Sequence, residues 1–116
     1  MHELTVTKSI YTIVQRYAEK GRFNKVISVT LEIGALSDLQ VEWMQKYFDR
    51  LSRGSVVGGA KLKITRIPAV FVCSRCQHSF EIISILKEDL LCRNCHSRNI
   101  KVVSGREYKI KNMEAV

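Results

Sequence analysis

All four cysteines of the chain fall in CSRCQHSFEIISILKEDLLCRNC, at Cys73, Cys76, Cys92 and Cys95. The spacing is C-x₂-C, fifteen residues, then C-x₂-C. Each C-x₂-C turns the chain so that two sulfurs face one point. Two such turns supply the tetrahedral thiolate set that Zn²⁺ prefers, with Zn–S of about 2.3 Å. The spacing therefore reads as a zinc-ribbon signature. Two disulfides would use the same residues but belong to an oxidising compartment, and a redox C-x-x-C needs no second pair. Four thiolates close the coordination sphere, so the zinc is expected to be structural rather than catalytic. His78 and His96 follow the two knuckles closely. Each is either a solvent-facing neighbour of the cluster or a group able to replace a cysteine when pH or metal state changes.

The third histidine is His2, in the opening MHEL. Its imidazole lies within chelating distance of a free α-amine. An inert side chain at a frayed terminus is the alternative, and nothing nearby in sequence decides between them. Nothing else has the pattern of an active site. There is no Walker loop, no G-x-S-x-G and no H-E-x-x-H. Glu88 and Asp89 fall in an expected polar turn and read as solvation. No catalytic residue is assigned, and the chain is not expected to be an enzyme.

These residues must be held by a small fold. The chain has 116 residues, 46% of them apolar, enough for one compact unit with a modest core that a metal would help to staple. Ile10, Ile13, Val14, Tyr17 and Ala18 recur at helical steps within residues 3–20 and predict one apolar stripe, with Gly21 as the stop. Ile27, Val29, Leu31 and Ile33 alternate with Ser28, Thr30 and Glu32, as in a strand buried on one face. Gly34 breaks it, and Ser37 and Asp38 offer helix caps. A second amphipathic stretch, about residues 40–53, carries Trp43, Met44, Tyr47, Phe48 and Leu51, an aromatic-rich core stripe. Gly54, Gly58 and Gly59 mark a loop. KLKITRI (61–67) alternates as a strand and ends at Pro68. Residues 80–86, a turn at 87–89 and Leu90-Leu91 suit a short hairpin between the cysteine pairs. Residues 101–111 alternate again, with Tyr108 and Ile110 on one face. The expected fold is α+β: two helices packed on a small three-stranded sheet, with an inserted zinc-ribbon-like module before the last strand.

Net charge is +8 with neutral histidines. One zinc on four thiolates would lower it to about +6. A zinc-ribbon nucleic-acid-binding adaptor is the alternative that the charge suggests. Against it, the lysines and arginines are scattered, and the ribbon offers only Phe71 and Phe80 for stacking. No nucleic-acid partner is expected. No apolar run is long enough for a membrane span, and the opening residues lack a signal-peptide pattern. The expected location is cytoplasmic.

Taken together, MHEL, LEIGALSDL (31–39), GAKLKI (59–64), the paired C-x₂-C knuckles and GREYKIKNMEAV (105–116) resemble the HypA/HybF family of nickel metallochaperones for [NiFe]-hydrogenase maturation. The likeness runs nearly the full length. One departure is CRNCHS at the second knuckle, where relatives often carry a CPxCG-like form; the ligands are kept, but the turn loses a proline and a glycine. The resemblance implies nickel delivery, cooperation with the HypB GTPase, docking to the hydrogenase large subunit and, in some organisms, service to urease maturation. It implies a nickel-binding α/β domain of residues 1–68 completed by 101–116, and a zinc-binding module of residues 69–100. It places nickel at His2 with Glu3 beside it, and zinc at Cys73, Cys76, Cys92 and Cys95. The chemistry is consistent with that placement. The α-amine of Met1, the amides of His2 and Glu3 and the His2 imidazole offer four nitrogens for square-planar Ni²⁺. The Glu3 carboxylate would then be an outer or axial group. His2 is bulky, so Met1 is expected to be retained and to supply the amine.

Overall fold

The computed structural model describes residues 2–83 and 90–116. Its first helix, α1 (Glu3–Lys20), buries Thr7, Ile10, Val14 and Ala18, the spacing that a 3.6-residue turn brings into line. The buried face is narrower than the sequence pattern suggests. Ile13 is 42% exposed and Tyr17 61%, because both lie to one side of the Ile10–Val14 line. The stop also differs from expectation. Gly21 keeps a right-handed φ of −80°, and Arg22 takes the left-handed one at 55°. The Phe23 N–H bonds the Ala18 carbonyl at 3.1 Å, closing the helix as a Schellman turn does. A Cβ on Gly21 would sit 2.4 Å from the ring of Phe23, a part-exposed side chain that would have to swing aside.

Strand β1 (Val26–Gly34) buries Val29, Leu31 and Ile33 as expected, but the alternation slips at its start. Val26 and Ser28 are buried, and Ile27 is 46% exposed. Two adjacent buried residues, Ser28 and Val29, break the two-residue period. Ser28 is covered on its own side, where its hydroxyl donates to Glu114 Oε1 at 2.7 Å.

Helix α2 (Val41–Ser52) starts after Gln40 rather than at Ser37 or Asp38. The Gln40 carbonyl accepts the first bonds, from Trp43 N–H at 3.1 Å and Met44 N–H at 3.3 Å. Met44, Phe48 and Ser52 are buried, and Phe48 meets the Tyr11 ring edge-on at 6.3 Å. Trp43 departs from the expected core stripe. It is 47% exposed, with the Lys46 ammonium 4.9 Å above its ring.

Strands β2 (Lys61–Ile67) and β6 (Tyr108–Ala115) flank β1 in a sheet of order β2-β1-β6. A second sheet, β4-β3-β5, joins β3 (Ala69–Cys73), β4 (Ser79–Ile82) and β5 (Ile100–Ser104), all pairings antiparallel. Phe71 and Phe80 are register partners with stacked rings 5.8 Å apart. The single strand expected over 101–111 is therefore two strands in different sheets. Gly105, at φ 139°, makes the break between them. The arm containing Phe80 pairs with β3. The turn expected at 87–89 lies outside the described residues.

Packing divides the chain into two units. The first comprises Met1–Leu31, Asp38–Ile64 and Ile110–Val116; its core includes Ile10, Val14, Val29, Leu31, Met44 and Phe48. The second comprises Glu32–Ser37 and Thr65–Lys109, with buried Ala69, Phe71, Cys73, Phe80, Ile82 and Cys92. Within it the chain segments around Gly34 and Gly105 nearly touch. The Leu36 N–H bonds the Gly105 carbonyl at 2.8 Å, and the Gly34 N–H bonds the Glu107 carbonyl at 2.9 Å. A Cβ on Gly34 would lie 2.0 Å from that Gly105 oxygen, so only glycine fits. Among the described residues, no helix is long and apolar enough to cross a membrane.

Candidate metal centre

The two cysteine turns fold alike. In the first, the Gln77 N–H bonds the Cys73 carbonyl at 2.8 Å and the Cys73 N–H bonds the His78 carbonyl at 2.9 Å. In the second, the His96 N–H bonds the Cys92 carbonyl at 2.8 Å and the Cys92 N–H bonds the Ser97 carbonyl at 2.8 Å. The residue after each second cysteine is left-handed, Gln77 at φ 64° and His96 at φ 63°. That is a glycine-favouring position. The glycine missing from CRNCHS thus leaves the turn geometry intact and places a strained histidine in it.

These turns bring the sulfurs of Cys73, Cys76, Cys92 and Cys95 within 4.8 Å of one another. Cys73 and Cys95 are 3.6 Å apart and Cys76 and Cys92 3.5 Å. A disulfide would need about 2.05 Å, whereas sulfurs around a tetrahedral zinc sit about 3.8 Å apart. The cluster therefore fits a zinc site. Cys73 and Cys92 are buried, and Cys76 and Cys95 partly so.

Donors aimed at sulfur add to the fit. The backbone N–H groups of Asn94 and Cys95 point at Cys92 Sγ, at 3.3 and 3.4 Å. The Asn94 side-chain Nδ2 reaches across to Cys76 Sγ at 3.6 Å. That amide, with the His78 N–H, brings the Cys76 thiol down to about 6. Cys95 goes the other way, to about 11. The Ser97 N–H favours its thiolate, but burial and the sulfurs of Cys73, Cys76 and Cys92 resist a further negative charge. Four adjacent sulfurs cannot all ionise unaided; a dication at their centre removes the conflict. Asn94 was not anticipated from sequence. Its one signal is an amide in the turn position just before Cys95.

His78 and His96 are exposed. The His78 ring stacks on Phe80 with centroids 6.4 Å apart, and both residues build their turns through backbone groups. At the other candidate site, Met1 lies outside the described residues. His2 is exposed and is the N-cap of α1, its carbonyl accepting from the Val6 N–H at 2.9 Å. Glu3 opens the helix, and its Oε2 accepts from the Gln40 N–H at 3.2 Å. This ties the start of α1 to the start of α2. His2 and Glu3 belong to the first unit and the four cysteines to the second.

Residues 1–115 match the family model described as hydrogenase/urease nickel incorporation, metallochaperone, hypA. Over 114 residues the chain is 30% identical to hydrogenase maturation factor HypA of Rhodopseudomonas palustris, covering 98% of each. It is 34% identical to HybF of Salmonella typhimurium, again covering 98% of each, and 37% to HypA of a Nostoc species, covering 98% of this chain and 95% of the relative. The solution structure of the nickel metallochaperone HypA from Helicobacter pylori superposes with a TM-score of 0.68 at 26% identity, covering 100% of this chain and 98% of that one. A four-sulfur cluster that fits a zinc site and a match along the whole chain agree: this protein belongs to the HypA family of nickel-incorporation metallochaperones that act in hydrogenase maturation.

Proposed function

We propose that the chain carries Ni²⁺ as transferable cargo at its N-terminus and hands it on for [NiFe]-hydrogenase maturation, while Cys73, Cys76, Cys92 and Cys95 hold a structural zinc. The nickel ligands are the Met1 α-amine, the amides of His2 and Glu3 and the His2 imidazole. The observation that carries this reading is the position of His2. The first bond of the α1 ladder is Val6 N–H to His2 C=O. The amides of His2 and Glu3 precede that ladder, so using them as ligands breaks no helix bond. A helix N-terminus carries partial positive charge and opposes a bare cation. Two deprotonated amides and the Glu3 carboxylate supply compensating negative charge. His2 is exposed and the ligands come from very few residues, which suits release.

In this reading the first unit, which contains His2 and Glu3, is the nickel domain and the second, which contains the four cysteines, is the zinc module. The protein works in the cytoplasm with the HypB GTPase, docks to the hydrogenase large subunit, serves urease maturation where that enzyme is present, and catalyses no reaction itself.

The test is nickel titration of protein with a free Met1 amine against the same chain extended at its N-terminus and against His2→Ala, with zinc measured in each. The free terminus should bind one Ni²⁺. The extension and His2→Ala should both lose that binding at unchanged zinc content and helical circular dichroism. Equal nickel binding by all three would overturn the terminal site.

A further inference from the structure

Helix α1 carries a second apolar line beside its buried one. Val6, Ile10, Ile13 and Tyr17 are spaced by four, three and four residues, the pattern of a helix–helix seam. Ile10 is fully buried, Val6 is half-buried, and Ile13 and Tyr17 are 42% and 61% exposed. The seam thus begins in the core and continues into solvent. Ile13, Tyr17, Arg16 and Lys20 line a groove of about 440 Å³. A second, of about 350 Å³, lies over Lys8, Ser9, Thr12 and Ile13.

The charges on the outer side of this line, along Ile13 and Tyr17, have one sign. Helical spacing puts Arg16 and Lys20 along its outer side. Neither makes an ion pair among the described residues. The two acids of α1 are committed elsewhere: Glu3 accepts from Gln40, and Glu19, on the far side of the helix, accepts from Gln15 at 3.0 Å. An exposed tyrosine and isoleucine edged by unpaired cations call for apolar side chains edged by carboxylates.

We propose that the Val6–Tyr17 face of α1 docks an acidic amphipathic helix of a partner protein, about four turns long. Its apolar residues would lie along Ile13 and Tyr17, and its carboxylates against Arg16 and Lys20. The proposal does not depend on where nickel binds.

The probe is a labelled four-turn helical peptide with leucines at seam spacing and flanking glutamates. Its control carries lysines in place of the glutamates. Both are titrated by fluorescence anisotropy against the full, zinc-loaded chain. The acidic peptide should bind about tenfold or more tightly than the basic one, and more weakly as salt rises. Arg16→Glu with Lys20→Glu should reverse that preference. Tyr17→Ala should weaken binding of the acidic peptide, with amide shifts in the parent confined to residues 6–20. These side chains are exposed, so unchanged helical circular dichroism and zinc content certify each variant. Equal binding of the two peptides, binding of neither, or shifts centred elsewhere would overturn the proposal. So would self-association that Tyr17→Ala abolishes, which would make a second copy the occupant, or displacement of the peptide by duplex DNA.

Discussion

Single residues divide sharply in how far sequence exposes them. The four cysteines are legible from spacing alone, because C-x₂-C geometry is local. Asn94 is not, because its bond to Cys76 depends on two turns meeting across the cluster. His96 lies between these cases. As a histidine beside a ligand it invites a metal role, yet its φ of 63° shows what the position asks of the backbone. His96→Gly should therefore strengthen the module, by about 1 kcal/mol for relief of a left-handed non-glycine residue. Denaturant unfolding of the zinc-loaded protein measures this, and competition with a chromophoric chelator follows zinc. A glycine variant that unfolds at higher denaturant and holds zinc at least as tightly assigns His96 to the turn. Weaker zinc binding in His96→Gly would show instead that the imidazole serves the metal.

Elements were legible wherever their periodicity was uniform. Both helices and strands β1 and β2 fall where hydrophobic spacing puts them. What failed were positions whose state depends on contacts remote in sequence. Tyr17 and Trp43 fit apolar stripes but project past the core, and residues 101–111 alternate as one strand while crossing from one sheet to another. The crossing turns on two glycines and an acid. Gly34→Ala would drive a methyl into the Gly105 carbonyl, 2.0 Å away. It should cost about 3 kcal/mol or more, as overpacking against backbone does, read as a lower denaturation midpoint. Glu107 holds the same turn by accepting from the N–H groups of Gly105 and, at 2.9 Å, Arg106. The Gly105 N–H, the residue's own N–H and that of Arg106 keep its carboxyl below the ordinary carboxylate range. A carboxyl depressed in the folded state stabilises above its unfolded pKa of about 4.3, and that stability is lost as pH falls through the lower folded value. Glu107→Gln should therefore be less stable than the parent at neutral pH, with the difference closing in acid. Unfolding midpoints of the two proteins from pH 6 down to about pH 2 check it; a constant gap would mean that shape, not charge, accounts for the effect.

At the scale of the whole molecule the two candidate sites fall in units with very different means of support. The first unit has two helices and a core that includes Ile10, Val14, Leu31, Met44 and Phe48. It needs no cross-link to hold His2 and Glu3 in place. Among the described residues, the buried cluster around the cysteines of the second has six members, and two of them are Cys73 and Cys92 themselves. A cluster of that size buries little apolar surface to set against chain entropy, and a metal held by the four sulfurs would add to it. The dependence on zinc should therefore be lopsided. Stripping the metal with a chelator, or substituting Cys92→Ala, should cost the β3 (Ala69–Cys73) amides their hydrogen-exchange protection. The α1 and α2 amides should stay protected and the helical circular dichroism should persist. Nickel titration should still find one site in the zinc-free protein. Simultaneous loss of helical and β3 protection would show that the zinc unit underwrites the whole fold. Nickel binding lost while the helices stay folded would show that zinc reaches the terminal site through more than fold stability.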